Sequence, residues 1–133
     1  MVKDNHDVIL EMVKTSLNLS LDYDDAYDEE LLLHINNAIA ELSVVVKMDK
    51  TVNVNPYTRF SDLYSGETEN VINLIKQYIT TCVRMTFDPP PSNVLNLLDK
   101  SKTVIASNIF VLETEKKYDT EFVGNNSDVG ATS

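Results

Sequence analysis

Three consecutive prolines, Pro89, Pro90 and Pro91, stand in the stretch FDPPPSNVLNLL between two segments whose apolar residues recur at helical intervals. A proline inside a helix lacks the N–H its turn needs and clashes with the preceding turn, so three in a row divide the chain. Each residue ahead of a proline is pushed out of the helical region, which predicts an extended Asp88, Pro89 and Pro90, with Pro91 entering just ahead of a Ser92 or Asn93 cap. Phe87, Asp88 and the three prolines then form a stiff corner. Such a corner fixes the angle of the following helix with little entropy left to lose.

Amphipathic segments surround this corner and predict an all-α domain of about four helices. From Asp7 to about Leu19, Val8, Ile9, Met12, Val13 and Leu17 keep helical spacing, with Asp4 or Asn5 available as a cap. A second helix is expected from about Asp25 to Val46, with a seam of Leu32, Ile35, Ile39, Leu42 and Val46 that Leu31, Ala38 and Val45 broaden. The third, from about Glu67 to Phe87, opens on Thr68. It carries Val71, Leu74, Tyr78, Cys82 and Met85 on one face, with Ile72, Ile75, Ile79 and Val83 beside them. So wide an apolar arc makes it the expected central helix. The fourth keeps its spacing through Val94, Leu97, Leu98, Ile105, Ile109 and Leu112 to about Lys117.

Residues 47–66 lose the period and gather Asn, Pro, Ser and Gly. A loop longer than about 12–15 residues is uncommon in a compact domain and tends to be functional. Within it TVNVN alternates as a brief strand would, and Tyr57, Phe60 and Tyr64 predict that part of the segment folds back on the body. The last stretch, YDTEFVGNNSDVGATS, is too poor in apolar residues for another element. The expected division is a helical domain over 1–118 and a flexible tail over 119–133.

A chain of 133 residues suits one such domain. Its formal charge of −10 has the wrong sign for holding nucleic acid by its phosphates. An acidic wall is, however, what DNA would slide past without sticking. A single cysteine, Cys82, rules out an internal disulfide or a multi-cysteine metal site. The opening MVKDNHDVIL has acids where a secretion signal needs a basic lead, and no apolar stretch approaches the ~18 residues of a membrane span. Neither export nor membrane insertion is expected.

Site chemistry finds no support. The acidic run Asp22, Asp24, Asp25, Asp28, Glu29 and Glu30 fails the calcium-loop pattern, with Tyr27 where glycine belongs and Leu33 where the last carboxylate belongs. It reads as a helix start, where the dipole favours acids. His6 and His34 fall in different segments without ligand spacing, and no local motif activates a serine or threonine. The three glycines form no phosphate-cradling loop. A helical magnesium pyrophosphatase would need paired acids on neighbouring helices, for which only Glu41, Glu67 and Glu69 are candidates. Cys82 lies on an apolar face with no evident cation to lower its pKa and reads as core, while Arg84 lies on the opposite side. No catalytic residue, cofactor or metal is expected, and the chain reads as an interaction protein. Its apolar faces on helices two, three and four exceed what one small domain covers, which predicts self-association.

The acid-capped helix DEELLLHINNAIAEL, the loop, the helix VINLIKQYITTCVRMTFDPPPSNVLNLL and a last helix ending in lysines resemble the small helical head-to-tail connector proteins of tailed bacteriophages, in which a helix, an FDPP-type break and a final helix recur. The likeness covers about residues 7–118. It implies a non-enzymatic adaptor or head-completion protein that forms a ring, commonly of twelve subunits, beneath the portal. The ring extends the DNA channel without reading its sequence and offers a platform for the next head-completion or tail-completion connector. It would reside at the head-tail interface of the virion, and in host cytoplasm during assembly. In the family the C-terminal segment reaches toward the portal, which maps here to Glu113–Ser133 and singles out Glu113, Lys116, Lys117, Tyr118, Phe122 and Val123. Two other readings stand beside it: a small acidic helical regulator binding a basic partner protein, and, behind that, the enzyme.

Overall fold

The computed structural model describes residues 7–18, 26–49 and 53–132, with side chains described as far as Lys116. Five helices follow in order: α1 (Ile9–Ser16), α2 (Asp28–Leu42), α3 (Phe60–Leu63), α4 (Glu69–Phe87) and α5 (Ser92–Thr132), with no strand among the described residues. The chain is an all-α single domain, with the short α3 added inside the long middle connection.

Helix α4 is the centre, packing against α1, α2 and α5, while α1 and α2 also touch. Its row Val71, Ile75, Tyr78, Ile79, Cys82 and Val83 is buried against Leu31, Ile35, Ala38, Ile39 and Leu42 of α2 and Ile9, Met12 and Val13 of α1, all within one core. The row on α2 is rotated slightly from the expected seam: Leu31 and Ala38 lie inside it and Leu32 is only half-buried. Helices α4 and α5 form an antiparallel hairpin. Lys102 sits over the ring of Tyr78, 5.9 Å from its centroid, and Lys116 reaches back to Glu67 near the start of α4, at 3.4 Å.

The helix ends show why these segments stop and start where they do. The first turn of α2 holds Asp28, Glu29 and Glu30 at the positive end of its dipole. Asp28 also pairs with Lys14 from the last turn of α1, and both are largely buried. Thr68 caps α4, its hydroxyl accepting from the Val71 amide at 3.3 Å. At the corner Asp88 leaves the helix at φ −141° and ψ 73°. Helix α5 then starts one residue earlier than a Ser92 or Asn93 cap would allow. The Leu95 amide donates to the Pro91 carbonyl at 2.9 Å, so Pro91 itself is the cap, a place where its missing N–H costs nothing.

The start of α1 differs from expectation. Asp4 and Asn5, named as caps, lie outside the described residues, as do Asp22, Asp24, Asp25 and His6. Instead the Ile9 amide donates to the Thr58 carbonyl at 3.0 Å, Val8 bridges Arg59 in antiparallel fashion, and Asp7 accepts from Arg59 at 3.3 Å and Ser61 at 3.0 Å. The middle connection is thereby strapped to the N-terminal helix. Its Phe60 and Tyr64 are buried as expected, but Tyr57 is 82% exposed. No strand forms at Asn53–Asn55. Asn36 of α2 holds Val54, accepting from its amide at 2.8 Å and donating to its carbonyl at 3.3 Å; Thr51 and Val52 are outside the described residues.

Two further differences concern the exposed faces and the end of α5. The rows on α2 and α4 that were expected to remain uncovered are covered within the chain, because α4 fills the space between its neighbours. On α5 only Ile105 and Ile109 are buried among the described side chains. Its backbone continues helical to Thr132, past the expected end near Lys117.

Candidate functional site

Among the described residues, an apolar row without a partner lies on α5. Leu97, Val104 and Val111 recur every seven residues along one side of the helix and are all exposed, with Val94 one turn before them. Seven residues make nearly two helical turns, so these side chains line up. Val111 borders a groove whose α4 wall carries Asn70, Asn73, Leu74 and Gln77 and whose α5 wall also carries Asn108, Leu112 and Glu115. On the other flank Phe110 is exposed beside a smaller groove with Val45, Tyr78 and Ala106. Val104, Phe110 and Val111 were not expected from the sequence as surface residues, although the seven-residue recurrence with Leu97 is visible there.

Polar clamps hold this helix in place. Glu41 of α2 accepts from the Tyr78 hydroxyl of α4 at 2.8 Å and from Lys102 of α5 at 3.3 Å, so one carboxylate joins three helices. The Cys82 thiol is 3.9 Å from the same oxygen. A cation is therefore close to Cys82 after all, but burial outweighs Lys102 and pushes the thiol up to about 11. It is a packed core thiol without a reactive thiolate. Burial first, then the bond to Glu41, also raises the Tyr78 phenol well above its ordinary value. Glu41 is thus engaged in structure.

At the far end of the hairpin Lys116 donates to the Gly66 carbonyl and to Glu67, both at 3.4 Å. Glu113 lies against the same Glu67. Burial, the hydrogen bond to Glu67 and the charge of Glu67 raise its carboxyl to about 7, while Lys116 opposes the rise. The Tyr64 hydroxyl, buried in the same region, is raised by burial and then by Glu67. No sequence pattern marks this cluster, since its members come from the middle connection and from a helix some fifty residues on.

Of the residues expected to meet a partner, Glu113 and Lys116 fasten α5 to the start of α4. The side chains of Lys117, Tyr118, Phe122 and Val123 are outside those described. The corner is formed as a compact turn between α4 and α5, where Phe87 packs edge-on against Tyr27 at 5.4 Å and Pro90 is half-buried. His34 is half-buried, 3.5 Å from Glu30 one turn earlier, and Arg84 is exposed. Among the described residues, no three His, Cys, Asp or Glu side chains gather as a metal site would require. Nor is any helix among them long and apolar enough to cross a membrane.

Comparison with curated proteins finds no match, and comparison with solved structures finds none either. A family model described as phage connector protein matches residues 9–122, nearly the whole of the helical body and the corner within it. The chain belongs to the phage connector protein family.

Proposed function

We propose that the chain forms a ring beneath the portal vertex, extends the DNA channel and joins the phage head to the tail. Its family assigns it a structural connector role in the phage. The ring reading is carried by the exposed row Leu97, Val104 and Val111 on α5, an apolar surface that a second subunit would cover. A closed ring sets one face of each subunit against a different face of the next. The charge of −10 keeps the wall from binding DNA phosphates, so the genome passes without being read.

In this reading the protein has no catalytic activity and needs no cofactor. Its partners are other copies in a ring of about twelve, the portal, and the next head-completion or tail-completion connector, at the head-tail interface of the virion after assembly in the host cytoplasm. The portal-facing segment is Glu113–Ser133, with Lys117, Tyr118, Phe122 and Val123 as contacts. Glu113 and Lys116 set the position from which that segment leaves the body. Residues 119–133 act as an arm beyond the helical domain over 1–118, on the stretch where α5 continues past the body.

Native mass spectrometry of the full chain, alone and with its cognate portal, tests the ring. Assembly in either sample is expected, and a chain that stays monomeric in both would overturn it. Deleting Asp119–Ser133 should weaken portal binding while leaving the thermal unfolding of the body in place. Loss of the fold would show instead that the segment belongs to the core.

A further inference from the structure

Two outward helix stripes on this chain share one spacing and complement each other at their first four positions. On α2 and the turn that follows it, Glu29, Leu33, Asn37, Ala40 and Val44 are all exposed. On α5, Lys100, Val104, Asn108, Val111 and Glu115 are all exposed. Both sets advance by four, four, three and four residues, so each lies along one side of its helix and spans about 22 Å at 1.5 Å per residue. Laid side by side in parallel they set Glu29 against Lys100, Leu33 against Val104, Asn37 against Asn108 and Ala40 against Val111, and at the far end Val44 against the stem of Glu115. The small Ala40 stands where two backbones would need to approach, and the two amides offer each other a donor and an acceptor.

We infer that the α2 stripe of one subunit docks in parallel on the α5 stripe of the next, as the repeating contact of the ring. The inference rests on the ring reading above and names its surfaces. The two stripes cannot meet within one molecule. Helix α5 meets α2 through Lys102, which bonds Glu41, and Lys102 lies two residues from Lys100, about 200° around the helix. Most of the α5 stripe therefore lies on the side of the helix away from Glu41, with only Val111 reaching the groove that Val45 also lines. On α2, the exposed stripe lies opposite the buried row Leu31, Ile35, Ala38, Ile39 and Leu42. The contact is head-to-tail, which propagates into a ring when its rotation closes. Charge supports the second copy as the occupant. The first turn of α2 carries three acids and no base, and Lys100 is the base at the matching end of the other stripe.

Two charge reversals test this. In Glu29→Lys each subunit sets lysine against lysine, and in Lys100→Glu each sets glutamate against glutamate. Either variant alone should associate at least tenfold more weakly than wild type by native mass spectrometry and sedimentation, with the portal present if wild type requires it. An equimolar mixture should recover assembly, because alternating subunits put opposite charges at every contact. A misfolded variant could not be recovered in this way. Variants that assemble like wild type, or a mixture that fails to recover, would overturn these surfaces while leaving the ring standing. A wild-type chain that never assembles would overturn the ring and these surfaces together.

Discussion

The two arms of the α4–α5 hairpin have similar apolar spacing and opposite fates. Helix α4 buries six residues, from Val71 to Val83, whereas α5 buries only Ile105 and Ile109 among its described side chains. The cause is the number of neighbours: α4 is enclosed by α1, α2 and α5, and α5 packs chiefly on α4. Periodicity in a sequence reports that a helix has an apolar side. It does not report whether that side is covered within the chain, and on α5 the described residues leave much of it uncovered.

Truncation offers the largest test of this contrast. Ile75→Ala, at a site with no exposure, should cost about 2–5 kcal/mol in urea unfolding. Val104→Ala, at a site 57% exposed, should stay within about 0.5 kcal/mol in the monomer and act on assembly. Equal costs would erase the distinction between the arms. The corner comes next. Pro90→Ala together with Pro91→Ala should lose about 0.4–1 kcal/mol per site through the freer unfolded chain, with weaker assembly. If both stability and assembly were unchanged, the two arms would hold their angle without the prolines.

The smallest effect concerns the far end, where Glu113 meets Glu67. The Glu113 carboxyl binds its proton more tightly folded than unfolded, its value rising from 4.5 to about 7. The folded state therefore suffers no penalty from this group below 4.5. It loses stability as pH climbs toward 7, and carries the full loss above that. Urea midpoints at pH 5 and pH 8 should differ by less in Glu113→Gln than in wild type. An unchanged difference would remove this carboxyl from the account.

Much of the helical frame was legible in the sequence. The capped start at Thr68, the acids at the head of α2 and the proline corner each follow from local chemistry, which a short window of residues contains. What escaped depends on residues far apart in the chain. Glu41, Tyr78 and Lys102 come from three helices, and a lone Glu on a helix surface gives no sign of such partners. A buried tyrosine does call for a partner for its hydroxyl, so Tyr78 was the one available hint. Helix α3 is only four residues long, too short for periodicity to show. On α5 Val94 and Leu97 were grouped with the residues that are buried, and Val104 and Val111 were not singled out, because the covering of a face is decided by the neighbours of the helix.

The strap between Asp7–Ile9 and Thr58–Ser61 bears on the order in which the molecule folds. It joins positions some fifty residues apart, whereas the arms of the hairpin are joined by four residues, Asp88–Pro91. Closing the longer loop costs more chain entropy before any contact repays it. The hairpin is thus expected to form first and the strap last. Arg59→Ala should accordingly quicken unfolding and leave the folding rate nearly unchanged in stopped-flow measurements. The arm that carries the exposed apolar row would then be in place before the N-terminal helix is fastened down.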